Sequence, residues 1–112
     1  MTNKRVRLGD IALARSGDKG SGANIGVVAR SPAAYQFLKQ SLTAAEVEAF
    51  FKAMNPGNVV RYELPNLESL NFVLPEILAG GGSASLRVDA QGKALGQAIL
   101  EMTLEVPPDV KM

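Results

Sequence analysis

The residues with the clearest potential for chemistry lie in one run, Arg15-Ser16-Gly17-Asp18-Lys19-Gly20-Ser21-Gly22. Glycines let successive backbone amides converge on an anion, and such nests cradle phosphates. Arg15 would add a planar fork of donors and Lys19 a mobile point charge. The run is not a Walker loop, because the spacing Gly-x-x-x-x-Gly-Lys-Ser/Thr is absent and a strand, not a helix, is expected to follow it. It reads in two ways: as an anion or phosphate site, or as a long hairpin loop in which Asp18 and Lys19 are simply solvated.

Four further polar residues pose the same choice. Glu63 ends an alternating segment, where it could serve as a general base, pair with Arg61, or decorate the surface. Asn66 can cap a following helix or touch a ligand. Asn71 stands in an apolar stretch and needs a hydrogen-bond partner if buried, which the glycine-rich backbone could supply. Arg87, between Leu86 and Val88, fits the wet side of a strand, or a second anion contact.

What the chain lacks narrows the chemistry. It contains no Cys, which excludes a disulfide framework, a thiolate nucleophile and Cys-ligated zinc or iron–sulfur sites. It contains no His, which removes the commonest general base and metal ligand and makes a Ser–His–Asp triad impossible. No metal and no cofactor is implied. Chemistry near neutral pH would fall to Asp, Glu, Lys, Tyr, Ser or backbone amides.

The net charge of +1 makes no case for nucleic acid. Its distribution is uneven: residues 1–30 carry six basic groups against two acidic ones, a net of +4, leaving −3 on the other 82. That bias reads as a solvated edge with a basic tail, or as an anion-attracting region. No apolar run approaches the roughly 20 residues of a membrane helix, and no signal-peptide core follows the first residues, so a cytoplasmic protein is expected.

The elements that must position these residues follow from pattern. The length of 112 residues fits a single domain over 1–112, with a core built mainly from Leu, Val, Ile and Ala because aromatics are only 5%. So small a core makes a homo-oligomer or a partner the default expectation. Residues 10–15 suit a strand buried on both faces, 16–22 a loop, and 24–30 a second strand. Ser31-Pro32 starts a helix carrying Tyr35, Leu38 and Leu42. Thr43-Ala44-Ala45-Glu46 is a capping box, followed by a stripe of Val47, Phe50, Phe51 and Met54 that ends at Asn55-Pro56-Gly57.

Residues 58–64 alternate, with Val60, Tyr62 and Leu64 on one face and Val59, Arg61 and Glu63 on the other, a half-buried strand. Leu70, Val73, Leu74 and Ile77 fit a helical face that Pro75 would kink, with an extended Leu70–Leu74 as the rival reading. Gly80-Gly81-Gly82-Ser83 is a mobile connection, and Ser85–Asp89 reads as a strand before the turn Asp89-Ala90-Gln91-Gly92. Ala98 to Val106 alternates as a strand with one wet face, although residues 93–99 also fit a helix. Helices interspersed among strands at this length predict an α+β sandwich with one mainly antiparallel sheet covered on one face.

Three blocks together resemble one family. They are Leu8-Gly9-Asp10-Ile11-Ala12 through Arg15-Ser16-Gly17-Asp18-Lys19-Gly20 to Asn24-Ile25-Gly26-Val27, then Arg61-Tyr62-Glu63-Leu64-Pro65-Asn66-Leu67 to Leu70-Asn71-Phe72-Val73-Leu74, then Ser85-Leu86-Arg87 to Gln91-Gly92-Lys93. Their order and spacing look like the small ferredoxin-fold domain of the acyclic terpene utilisation (AtuA) family, in a stand-alone form of a domain that longer relatives carry behind a large one. The resemblance covers nearly the whole chain.

It implies a ferredoxin-like two-layer sandwich, in which "ferredoxin" describes shape alone, and a setting in the catabolism of branched, terpene-derived acids through acyl-CoA intermediates. It carries over no catalytic residue. Arg15, Ser16, Gly17, Asp18, Lys19, Gly20, Asn24, Glu63, Asn66, Asn71 and Arg87 match its motifs and are the candidate ligand-binding residues. Pro75 after the Asn-Phe-Val-Leu run departs from the pattern. Three functions follow as expectations: an accessory or ligand-binding subunit of a large AtuA-like partner, a small enzyme or binder of CoA or another phosphate-bearing ligand, and a structural oligomerisation module.

Overall fold

In the structure, a computed structural model, residues 3–19, 22–77 and 95–110 are described. The chain begins with β1 (Lys4–Arg7), turns once through α1 (Leu8–Ile11) and enters β2 (Ala12–Lys19) and β3 (Gly22–Ala29). Helices α2 (Pro32–Ser41) and α3 (Ala44–Phe50) come next, then β4 (Val60–Leu64) and β5 (Ser69–Leu74). A helical segment over residues 95–99, α4, leads to β6 (Thr103–Val106). Strands β2-β3-β5-β4 form one sheet in that order and β1-β6 a second, every pairing antiparallel. The architecture is α+β, with α2 packed over β3 and α3 over β5 on one side of the larger sheet.

The helix starts follow their sequence signals. Ser31 Oγ accepts from the Ala34 amide at 3.0 Å with Pro32 in the first turn, and Thr43 Oγ1 accepts from the Glu46 amide at 3.1 Å. The stripe expected on α3 divides. Val47 and Phe51 are buried, whereas Phe50 is exposed and meets Phe51 edge-on, and a 3₁₀ turn over Lys52–Met54 replaces the last helical turn. Asn55 and Gly57, at φ 53° and 81°, then redirect the chain into β4.

Three sequence expectations are corrected. The run expected to be a loop over 16–22 is largely strand: β2 continues to Lys19 opposite Gly22, so only two positions separate it from β3. The strand expected over 10–15 starts at Ala12 because Asp10 and Ile11 belong to α1, and it is not buried on both faces, since Leu13 is 54% exposed. The kinked helix expected after Asn66 is β5, the extended alternative. Leu70, Phe72 and Leu74 alternate inward, and Pro75, which cannot donate to a helix, closes the strand.

Farther on, the strand expected over 98–106 is confined to Thr103–Val106, and the ambiguous residues 95–99 are helical. The expected glycine-rich connection at Gly80–Ser83, the strand at Ser85–Asp89 and the turn after it lie outside the described residues.

The core sits between the helices and the inward faces of the sheet. Ala23, Ile25 and Val27 of β3 and Leu70, Phe72 and Leu74 of β5 meet Ala34, Leu38, Val47 and Phe51 there, joined by Leu95 and Ile99 of α4 and Leu104 and Val106 of β6. Burying each Leu, Ile or Phe contributes roughly 1.5–3 kcal/mol. No helix of the described residues is long and apolar enough to cross a membrane.

Candidate functional site

The other face of the four-stranded sheet has no helix over it among the described residues. Side chains alternate across a strand, so the register sorts this face into three rows. Leu13, Val28, Ser69 and Leu64 form the first, Arg15, Gly26, Asn71 and Tyr62 the second, and Gly17, Asn24, Val73 and Val60 the third. A groove of about 700 Å³ indents the first two rows and the start of the third, with Leu67 from the turn before β5 at its rim.

The face combines apolar side chains with a small polar centre. Leu13, Val28, Val60, Tyr62, Leu64 and Leu67 are all exposed. Between them, Asn24 Nδ2 donates to Asn71 Oδ1 at 3.5 Å, at the long limit for such a bond. Arg15 makes no hydrogen bond or ion pair with another described residue. Gly17 and Gly26 leave bare backbone beside the asparagines. A Cβ on Gly26 would come no closer than 3.8 Å to any atom, so the space above it is open.

Of the residues singled out in sequence, the fold gathers Arg15, Gly17, Asn24 and Asn71 on this face. Ser16 points the other way, its Oγ accepting from the Gly96 amide at 2.8 Å and tying β2 to α4. Asp18 and Lys19 continue the β2 ladder, and their side chains, with Gly20 and Arg87, lie outside the described residues. Successive amides of an extended strand point to opposite edges, so residues 16–19 do not form the converging nest that a loop would offer.

Glu63 lies on the helix side of β4, where its Oε2 accepts from Arg61 Nη2 at 2.9 Å. Asn66 is exposed in a 3₁₀ turn, Pro65–Leu67, that leads into a strand, so there is no following helix for it to cap. Sequence reasoning missed Leu13, Val28, Tyr62 and Leu64 as surface residues of the site. The alternation of β4 was legible, but it does not say which face lies open.

Chemically the groove is equipped for binding. Arg15 is the only ionisable side chain among its described lining residues, so no acid–base pair is assembled there. Among the described residues no three carboxylates gather to hold a metal ion.

Fold and site together define a small antiparallel α+β module with one covered and one open sheet face. The chain belongs to the AtuA ferredoxin-like domain family, whose model matches residues 6–105. No solved structure matches it. The family's name describes shape in this chain, which has no cysteine for a cluster.

Proposed function

We propose that the protein is a non-catalytic accessory and ligand-binding subunit that acts with a large AtuA-like partner in the catabolism of branched or terpene-derived acyl compounds, and that the open sheet face is its working surface. The observation that carries this reading is the set of exposed apolar side chains on that one face, Leu13, Val28, Val60, Tyr62, Leu64 and Leu67. Contiguous apolar surface of this kind marks interaction sites. That Arg15 is the single ionisable group among the groove's described lining residues supports a binding role over a catalytic one.

Calorimetric titration of the large AtuA-like protein with this chain tests the reading. Association at micromolar concentration is expected, weakened at least about tenfold by the double substitution Leu13→Ser, Tyr62→Ser. Absence of binding removes the partner from the proposal. Sedimentation as a stable dimer that the same double substitution dissociates would assign the face to a second copy of the chain instead.

A further inference from the structure

We propose that the groove on the open face recognises a monoanionic carboxylate carrying an aliphatic tail. The proposal rests on the reading of this face as the working surface and names the ligand class that it takes.

The head group has a defined place. In the central row Arg15 and Asn71 lie on either side of Gly26. With strands about 4.8 Å apart, their backbones are separated by roughly 10 Å, and the position between them carries no side chain. That leaves a notch floored by the Gly26 backbone, with a guanidinium on one wall and an amide on the other. The guanidinium has no partner among the described residues, and the Asn24–Asn71 bond at 3.5 Å leaves most of the donor capacity of both amides unused. A planar carboxylate matches the arginine fork, with an asparagine amide free to donate to its second oxygen. One cation among the groove's described lining residues balances one negative charge; a polyphosphate would bring several.

The tail also has a place. Beyond the notch the groove is walled by Leu13, Val28, Leu64 and Leu67, all branched aliphatic. At about 700 Å³ it falls within the roughly 300–1,000 Å³ of small-molecule sites. Four strands span roughly 14 Å across the face, enough for a medium-length chain laid across them.

The test is an NMR titration of the ¹⁵N-labelled full chain with four probes: octanoate, octanol, acetate and octyl phosphate. Octanoate is expected to shift amides of β2, β3 and β5 and to bind at least about tenfold more tightly than octanol or acetate. Arg15→Gln should cost octanoate about tenfold in affinity and leave octanol unchanged, a split that loss of fold would not produce. Gly26→Val, which fills the notch, should abolish octanoate binding while the amide spectrum of the helices stays native.

Equal binding of octanol, or an unchanged octanoate affinity in Arg15→Gln, overturns carboxylate recognition. Octyl phosphate binding as tightly as octanoate overturns the choice of head group, and shifts confined to the helical side overturn the site. Failure of octanoate together with retained association to the large AtuA-like protein refutes this inference alone. Octanoate binding without that association refutes the partner and leaves the inference standing.

Discussion

Arg61 sits on the helix side of β4, where its Nη1 donates to the Lys39 and Leu42 carbonyls at 2.9 and 3.0 Å and its Nη2 to Glu63. The last carbonyls of a helix have no intrahelical partner, and a cation suits that end of the dipole, so Arg61 closes the C-terminus of α2. Its side chain is only 18% exposed, which limits solvent screening. Arg61→Met, which keeps the stem and removes the donors, should cost about 2 kcal/mol in urea unfolding. A loss below about 0.5 kcal/mol would mean that water caps the helix equally well. Tyr35 is the opposite case: its hydroxyl is buried with no hydrogen-bond partner among the described residues. Tyr35→Phe should therefore stabilise by about 1 kcal/mol and raise Tm by about 4 °C, and a fall in Tm would show that the hydroxyl finds a partner in solution. Local signals at this scale were legible, as the Ser31 and Thr43 caps show. Arg61 was not, because its role depends on a helix that ends 20 residues earlier.

Elements were legible where local pattern and tertiary context agree, and misread where pairing overrides propensity. The glycines of residues 16–22 favour a loop in isolation, yet pairing with β3 holds residues 16–19 extended, from Ser16 opposite Ile25 to Lys19 opposite Gly22. Leu70, Val73, Leu74 and Ile77 keep helical spacing, but Pro75 and the inward alternation of Leu70, Phe72 and Leu74 settle β5 as a strand. The two glycines of β3 test this packing in opposite directions. A Cβ at Gly22 would lie 2.8 Å from the Pro75 carbonyl oxygen and 2.9 Å from its Cα, both backbone atoms that cannot step aside. Gly22→Ala should therefore destabilise by about 2 kcal/mol or more. Gly26 has open space and no positive φ, so Gly26→Ala should leave stability unchanged or raise it by up to about 1 kcal/mol through the unfolded chain. Denaturation midpoints of the two variants decide it, and equal losses would contradict the pairing of β3 against the Pro75 turn.

Across the whole molecule the sheet is asymmetric, and composition could not reveal that. Alternation sorted Val60, Tyr62 and Leu64 onto one face of β4, and the ordinary inference would turn that face inward. The fold instead gives the helix side of β4 to Arg61 and leaves the three apolar residues 43, 54 and 41% exposed. In a domain that needed nothing beyond itself, those positions would contribute to stability. Here the contribution is reduced, because about half of the surface of each residue is still in contact with water. Leu13→Ser with Tyr62→Ser should therefore shift the unfolding free energy of the isolated chain by less than about 1 kcal/mol, whereas Ile25→Ala, on the covered face of the same sheet, should cost about 2–5 kcal/mol. The double variant should also lower the fluorescence of a dye that reports exposed apolar surface, while its amide spectrum stays native. If it proves as costly as Ile25→Ala, the face is covered within the chain itself, and its apolar residues belong to the core. If stability holds and dye binding falls, this surface contributes little to the folding of the isolated domain, and its apolar character is free to serve whatever it binds.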